Sequence, residues 1–330
     1  MVTVSGKLGT RLLIPVLVLV VTGMVISTGC QAEKRQLAPA PSPMELSSTL
    51  VPNMPLDVYV YMKQESPTSI PAKMVGAYHD INVESLAVWG VPGEDSFAFG
   101  VGLTLTNADV ASNLFAEIPQ AKYGWKMLSG NTIYLVRGSG TAVSSLKTAI
   151  SNKDFKLFDD AKLLKAAATL PDGGTTRLAA IALARPSKEL LGLIPEDAGS
   201  EGLEQVKAVL KLVRLDVVVG GLYSARQIDV AKMAETLESG GDILNLEVGM
   251  LAMVKSYLPG FVVEPAAEKF LAEAEFTEIE VGELTLYKGS RVVNEGMAIP
   301  VLVRLEGNYI FAALSGQESY ERILLTSVNK

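Results

Sequence analysis

Hydrophobic and polar positions change their period several times along this chain of 330 residues, and each change marks an element. Behind a basic lead of Lys7 and Arg11, Leu12 to Ile26 form an apolar run broken by Pro15 and Gly23 and closed by Ser27-Thr28-Gly29-Cys30. Residues 31–55 turn polar and proline-rich, with Pro39-Ala40-Pro41-Ser42-Pro43 at their centre, a composition that favours extended backbone and assembles no core. A period of two sets in at Leu56, where Val58, Val60 and Met62 alternate with Asp57, Tyr59 and Tyr61, which predicts a strand. Leu86 to Leu105 reads as a hairpin about Pro92-Gly93-Glu94-Asp95. Asn107 is placed to cap a helix carrying Val110, Leu114 and Phe115. A second hairpin spans Tyr123 to Arg137 about Ser129-Gly130-Asn131; helices over 141–150 and 159–170 and a strand over 177–184 follow.

The second half opens on a helical repeat, Leu203, Val206, Val209, Leu210 and Val213, behind a Ser200 cap. Leu215 to Leu222 reads as a strand. Between Asp242 and Leu258 apolar residues surround the axis, predicting a deeply packed helix, and Pro265 starts a further short one. The chain closes with strands over 276–287 and 299–315 and a helix over 318–328.

Two local signatures recur. Gly130-Asn131-Thr132-Ile133 runs through an apolar strand to Ser139-Gly140 and a helix, and Gly307-Asn308-Tyr309-Ile310 runs likewise to Ser315-Gly316 and a helix. Chance recurrence of a glycine-punctuated turn is one explanation. Internal duplication is the other, and it predicts an α+β fold of two related units, 56–198 and 199–330, each with antiparallel hairpins backed by helices.

Composition narrows the partners. With 48% hydrophobic residues the chain has material for a substantial core, and with one cysteine it can form no internal disulfide. The formal charge is −7, and removing the leader with Lys7 and Arg11 makes it −9. Such a body repels phosphate backbones and anionic headgroups alike, so nucleic acid is not an expected partner.

A basic lead, a short apolar core and small residues make up the layout of a secretory signal. The run falls short of the ~20 apolar residues that span a bilayer, although an uncleaved anchor and ordinary secretion remain alternatives. On these residues the stretch resembles a bacterial lipoprotein signal peptide, with Ser27 where that family usually carries an aliphatic residue and Ile26 one position earlier. The resemblance implies that residues 1–29 are removed, that Cys30 is acylated by diacylglycerol and fatty acids such as palmitate, and that 30–55 is a tether. It also implies that the body sits at the extracytoplasmic face of the cell membrane. Together with its duplicated, acidic, cysteine-free body, the chain resembles an uncharacterised bacterial family of extracytoplasmic proteins with a domain of unknown function, which implies no activity.

Candidate chemistry is sparse. His79 is the single histidine, which rules out clustered-histidine metal sites, and its neighbours Tyr78 and Asp80 favour a structural role. No nucleophile elbow, phosphate-binding loop or dinucleotide fingerprint occurs. Ser144-Ser145-Leu146-Lys147 fits the Ser-x-x-Lys pattern of penicillin-recognising enzymes, but Lys288-Gly289-Ser290 does not supply the companion strand, so helix-surface residues are the expected reading. Gly138-Ser139-Gly140 could offer amides to an anion, yet its counterpart at Ser315-Gly316 argues for a turn used twice. Glutamates 264, 268, 273, 275, 278, 280 and 283 match no calcium loop and read as solvated faces. Trp89 and Trp125 read as core.

These features assign no catalytic, cofactor or metal residue and leave Cys30 as the one functional position. The expectation is a membrane-anchored lipoprotein that binds or scaffolds a protein or small-molecule ligand without catalysis. A transporter's solute-binding lipoprotein, with ligand between the units, and a serine hydrolase using Ser144 are the alternatives.

Overall fold

A computed structural model of the chain describes residues 43–70, 81–94, 96–118, 124–171, 177–185, 215–224, 248–292, 298–315, 318–326 and 328. The expected leader, Cys30, His79 and the helix behind Ser200 lie outside these residues. The first elements are α1 (Pro43–Leu46), β1 (Leu50–Pro52), β2 (Val58–Ile70), β3 (Ile81–Gly93), β4 (Ser96–Leu105) and α2 (Ala108–Glu117). Then come β5 (Trp125–Ser129), β6 (Thr132–Gly138), α3 (Gly140–Ser151), β7 (Phe155–Leu157), α4 (Ala161–Ala167) and β8 (Arg177–Ala184). The remainder are β9 (Leu215–Ser224), β10 (Val248–Ser256), α5 (Gly260–Glu273), β11 (Thr277–Val281), β12 (Leu284–Val292), β13 (Ala298–Glu306), β14 (Tyr309–Ser315) and α6 (Glu318–Thr326).

The fold is α+β, and its sheet is antiparallel throughout the described pairings. Twelve strands lie in the order β11-β12-β13-β14-β10-β9-β8-β2-β3-β4-β6-β5, while β1 and β7 form a separate pair. Register can be followed across the centre: Gly90 pairs with Val58, Val58 with Ala184, Ala184 with Val218, Val218 with Val254 and Val254 with Ile310. The start of β2, the end of β8, the start of β9 and the end of β10 therefore share one end of the sheet.

Alternate residues of a strand point to opposite faces, and here both faces are covered. One carries α3, α4 and α6 over a continuous core that includes Tyr59, Trp89, Leu146, Ile150, Leu183, Val219, Met253, Phe311 and Leu324. Gly100 and Gly102 of β4 admit this layer, because the side chains of Leu146 and Trp89 occupy the space a Cβ would need. On the opposite face α2 buries Ala111 and Leu114. There Lys126 donates to the Phe115 and Ile118 carbonyls at 2.6 and 2.7 Å, tying β5 to the helix. The same face carries α5, which buries Val263, Ala267 and Leu271.

Connections on either side of the β2–β8 junction run alike. β2-β3-β4, then α2, then the β5–β6 hairpin and α3, occupies the spatial order β2-β3-β4-β6-β5. β8-β9-β10, then α5, then the β13–β14 hairpin and α6, occupies β8-β9-β10-β14-β13, with the β11–β12 hairpin added after α5. Gly130 and Gly307 turn the two equivalent hairpins at φ 61° and 60°, a left-handed conformation that glycine adopts without penalty.

Several sequence expectations need correction. Folded structure begins before Leu56: Leu46 and Val51 are buried and β1 pairs with β7, so a tether over 30–55 ends no later than residue 42. The helix expected over 242–258 is, from Val248 onward, the strand β10, in the middle of the sheet. Apolar residues occupy both faces of this strand, so the run has no period of two and reads equally as a buried helix or a buried strand. α5 starts at Gly260, not Pro265, with Pro259 at its N-cap. The strands expected over 276–287 and 299–315 are each hairpins, turning at Gly282 and Gly307. The Asn107 cap, the first two hairpins and the strand over 177–184 are as expected, and Asn107 Oδ1 accepts from the Asp109 amide at 2.6 Å.

Candidate functional site

α5 and the strands beneath it enclose an open cleft of about 510 Å³. Glu264, Glu268 and Ala272, four residues apart, present one stripe of the helix; Phe276 closes one side, and Glu278, Thr285, Tyr287 and Leu305 form the floor. The stripe is held in place from below, since Glu264 Oε1 accepts from the Gly307 amide in the β13–β14 turn. Close approach is possible because Gly260 lies against Gly307 backbone, where any Cβ would collide with its Cα at 2.6 Å.

Electrostatics follow from this crowding of carboxylates. Tyr287 donates to Glu268 Oε1 at 3.3 Å. Its phenol is held above the ordinary tyrosine range, first by burial and then by the negative charge of Glu268, Glu278 and Glu264. The cleft thus offers three carboxylate acceptors beside a phenol kept protonated, a lining suited to donors and cations. Among the described residues no group of His, Cys, Asp and Glu converges to hold a metal ion.

A second set of charges sits where β8, β9 and β10 meet at one sheet end. Lys162 of α4 donates to Asp216 and, at 3.3 Å, to the Tyr257 hydroxyl, with its Nζ 4.8 Å from the Tyr257 ring centre. Desolvation alone would raise the Asp216 carboxyl, but the hydrogen bonds from Lys162 and Tyr257 and the charges of Lys162 and Lys255 outweigh it and hold the group low. Asp160 caps α4 by accepting from the Lys162 and Leu163 amides and pairs with Arg185. These contacts dock α4 on the strand ends. They bring no nucleophile and base together.

Positions singled out in the sequence fall as follows. Ser144 and Ser145 are exposed on α3 and line a shallow cleft of about 370 Å³ with Asn53, Thr148, Asn152 and Asp154. Lys147 does not line it, and no hydrogen bond among the described residues joins it to either serine. At the Gly138-Ser139-Gly140 turn, Ser96 Oγ accepts from the Ala142 amide and lies 3.3 Å from Thr141 Oγ1, so a neighbouring strand already caps α3. Trp89 is buried with Tyr134 and Phe155 around it, at centroid distances of 6.3 and 6.2 Å. Trp125 is half-buried in the edge strand β5.

The glutamate run lies on solvated faces as expected, with Glu268, Glu273, Glu275, Glu278, Glu280 and Glu283 exposed and Glu264 half-buried, and three of its members also converge on Tyr287. The signal was present as the four-residue spacing of Glu264 and Glu268 on α5 and the alternation of Glu278 and Glu280 on β11. Reading it required knowing that α5 lies over β12, which no local pattern states. Compared with protein-family models, curated proteins and solved structures, the chain matches none.

Proposed function

We propose that this chain is a lipoprotein, anchored through acylated Cys30 at the extracytoplasmic face of a membrane, whose body binds a ligand or partner and performs no catalysis. The observation that carries the reading is the leader itself: basic residues, a short apolar core and small residues ending on the sole cysteine. Among the described residues no helix is long and apolar enough to cross a membrane. The acidic cleft under α5 supports binding, since it supplies carboxylates, a phenol and a threonine hydroxyl without a nucleophile beside a base. Ser144 lacks such a partner, so the hydrolase reading gains nothing, and each of the two clefts belongs to one half, so neither favours a solute held between them.

Equivalent connections on both sides of the β2–β8 junction, together with the recurring Gly-Asn turn and Ser-Gly helix start, support internal duplication. In that reading β2 to α3 is one copy and β8 to α6 the other, with β7 and α4 between them and the β11–β12 hairpin an insertion. Mass spectrometry of protein from native-host membranes tests the anchor. An N-terminal Cys30 peptide carrying acyl chains is expected, and a peptide retaining Met1, or an unmodified Cys30, overturns the proposal. Cys30→Ala is expected to leave the precursor unprocessed.

A further inference from the structure

The described body buries most of its large apolar side chains, and the exceptions other than Ile323, 38% exposed on α6, lie near the point where the chain enters it. In the segment from β10 into α5, Phe261 is 79% exposed, Tyr257 65% and Val262 41%. Leu50 and Leu157, directly opposed in the β1–β7 pair, are 59% and 56% exposed. Contacts connect the two groups. α1, the first described element after the leader, packs on α4. In turn α4 holds Tyr257 through Lys162, and five residues of chain, at most ~17 Å, separate Lys162 from Leu157.

The length of the preceding segment limits where this end can be. Thirteen residues separate Cys30 from Pro43, which reach no further than about 45 Å when fully extended. An acylated Cys30 therefore keeps the α1–α4 end, and the apolar residues beside it, near the bilayer. The net charge of the chain is negative and does not draw it to anionic lipid, and aromatic and aliphatic side chains are the residue types that enter the headgroup boundary without charge attraction.

We infer that Tyr257, Phe261 and Val262, flanked by Leu50 and Leu157, form a surface that inserts into the lipid headgroup region and fixes the orientation of the body on its own membrane. This rests on the anchoring proposed above and adds a second, reversible contact to it. Docked in this way, the opposite sheet end, where β4 finishes at Leu105 just before Thr106 and β5 turns into β6, points away from the bilayer.

The test uses the full-length chain, acylated in its host and reconstituted into phosphatidylcholine vesicles carrying doxyl-labelled lipid. Because acylation consumes the only native thiol, Phe261→Cys, or Val262→Cys as a second exposed site, accepts a single environment-sensitive fluorophore, and Thr106→Cys serves as the distal control. Expected are a blue shift and at least twofold quenching at residue 261 or 262, with none at 106. Vesicles that float the protein while labels at 261, 262 and 106 all stay unquenched overturn the docking surface and leave the anchor standing. Quenching at 106 equal to that at 261 overturns the orientation. Failure of the acylated protein to float removes both, and this outcome is read before any fluorescence.

Discussion

Replacing Gly102 by alanine tests how the helical face of the sheet is packed. A Cβ at this position of β4 would lie 2.6 Å from Trp89 Cη2 and about 3.4 and 3.5 Å from Cζ3 and Cζ2. Carbon pairs rest at ~3.5–4.0 Å, so the indole must retreat by roughly 1 Å. Tyr134 and Phe155 block that retreat, and Leu146 fills the space over neighbouring Gly100. Overpacking of this kind costs about 1–3 kcal/mol, against which alanine returns ~0.4–1 kcal/mol by restricting the unfolded chain. The expected result is a net loss of about 1–2 kcal/mol in urea unfolding followed by far-UV circular dichroism.

The companion variant makes the argument specific. Trp89→Phe removes the ring atoms that the new methyl meets, together with an indole N–H that is buried without a partner. Alone it leaves a cavity, whereas in combination with Gly102→Ala the methyl occupies part of the vacated space. The double variant is expected to be at least about 1 kcal/mol more stable than the two single losses added together. A Gly102→Ala protein as stable as the parent, or strictly additive losses, would refute the packing described for this face.

Two further perturbations separate structural from exposed positions. Leu146→Ala, at a fully buried side chain, is expected to cost ~2–5 kcal/mol, whereas Ser144→Ala two residues earlier should change stability by less than about 0.5 kcal/mol, both by the same unfolding measurement. Burial raises the Tyr59 phenol above its ordinary value, with its bond to Thr49 Oγ1 at 2.6 Å only partly opposing. Its contribution is therefore fully present below about pH 10 and lost as pH rises towards the higher folded value; Tyr59→Phe should lose ~0.5–1.5 kcal/mol at neutral pH and show a flatter alkaline limb.

Legibility of the fold followed the strength of local pattern. Val58, Val60 and Met62 alternate cleanly, Asn107 precedes an apolar helix stripe and Pro92-Gly93-Glu94-Asp95 separates two apolar runs, so these elements stand where local rules put them. β10 escaped because the half-buried Met250, Ala252 and Val254 on one face are as apolar as the buried Leu251 and Met253 on the other, which erases the period that distinguishes strand from helix. Leu46 and Val51 escaped because their partners are distant: Val51 sits opposite Lys156, and α1 packs on α4.

What the amino-acid order settled alone is the basic, apolar and small-residue layout of residues 1–30, the acidic and disulfide-free character of the chain, and an α+β chain of hairpins and helices. Charge, cysteine count and short-range period are properties of neighbours in sequence, and they need no fold to be read. Tertiary structure decided that β2 pairs with β8, that α5 lies over β12, and that Glu264, Glu268, Glu278 and Tyr287 share one cleft. The β2–β8 pairing joins residues more than a hundred apart, such as Val58 and Ala184, and even the cleft, formed within one stretch of chain, depends on which apolar faces the whole core buries.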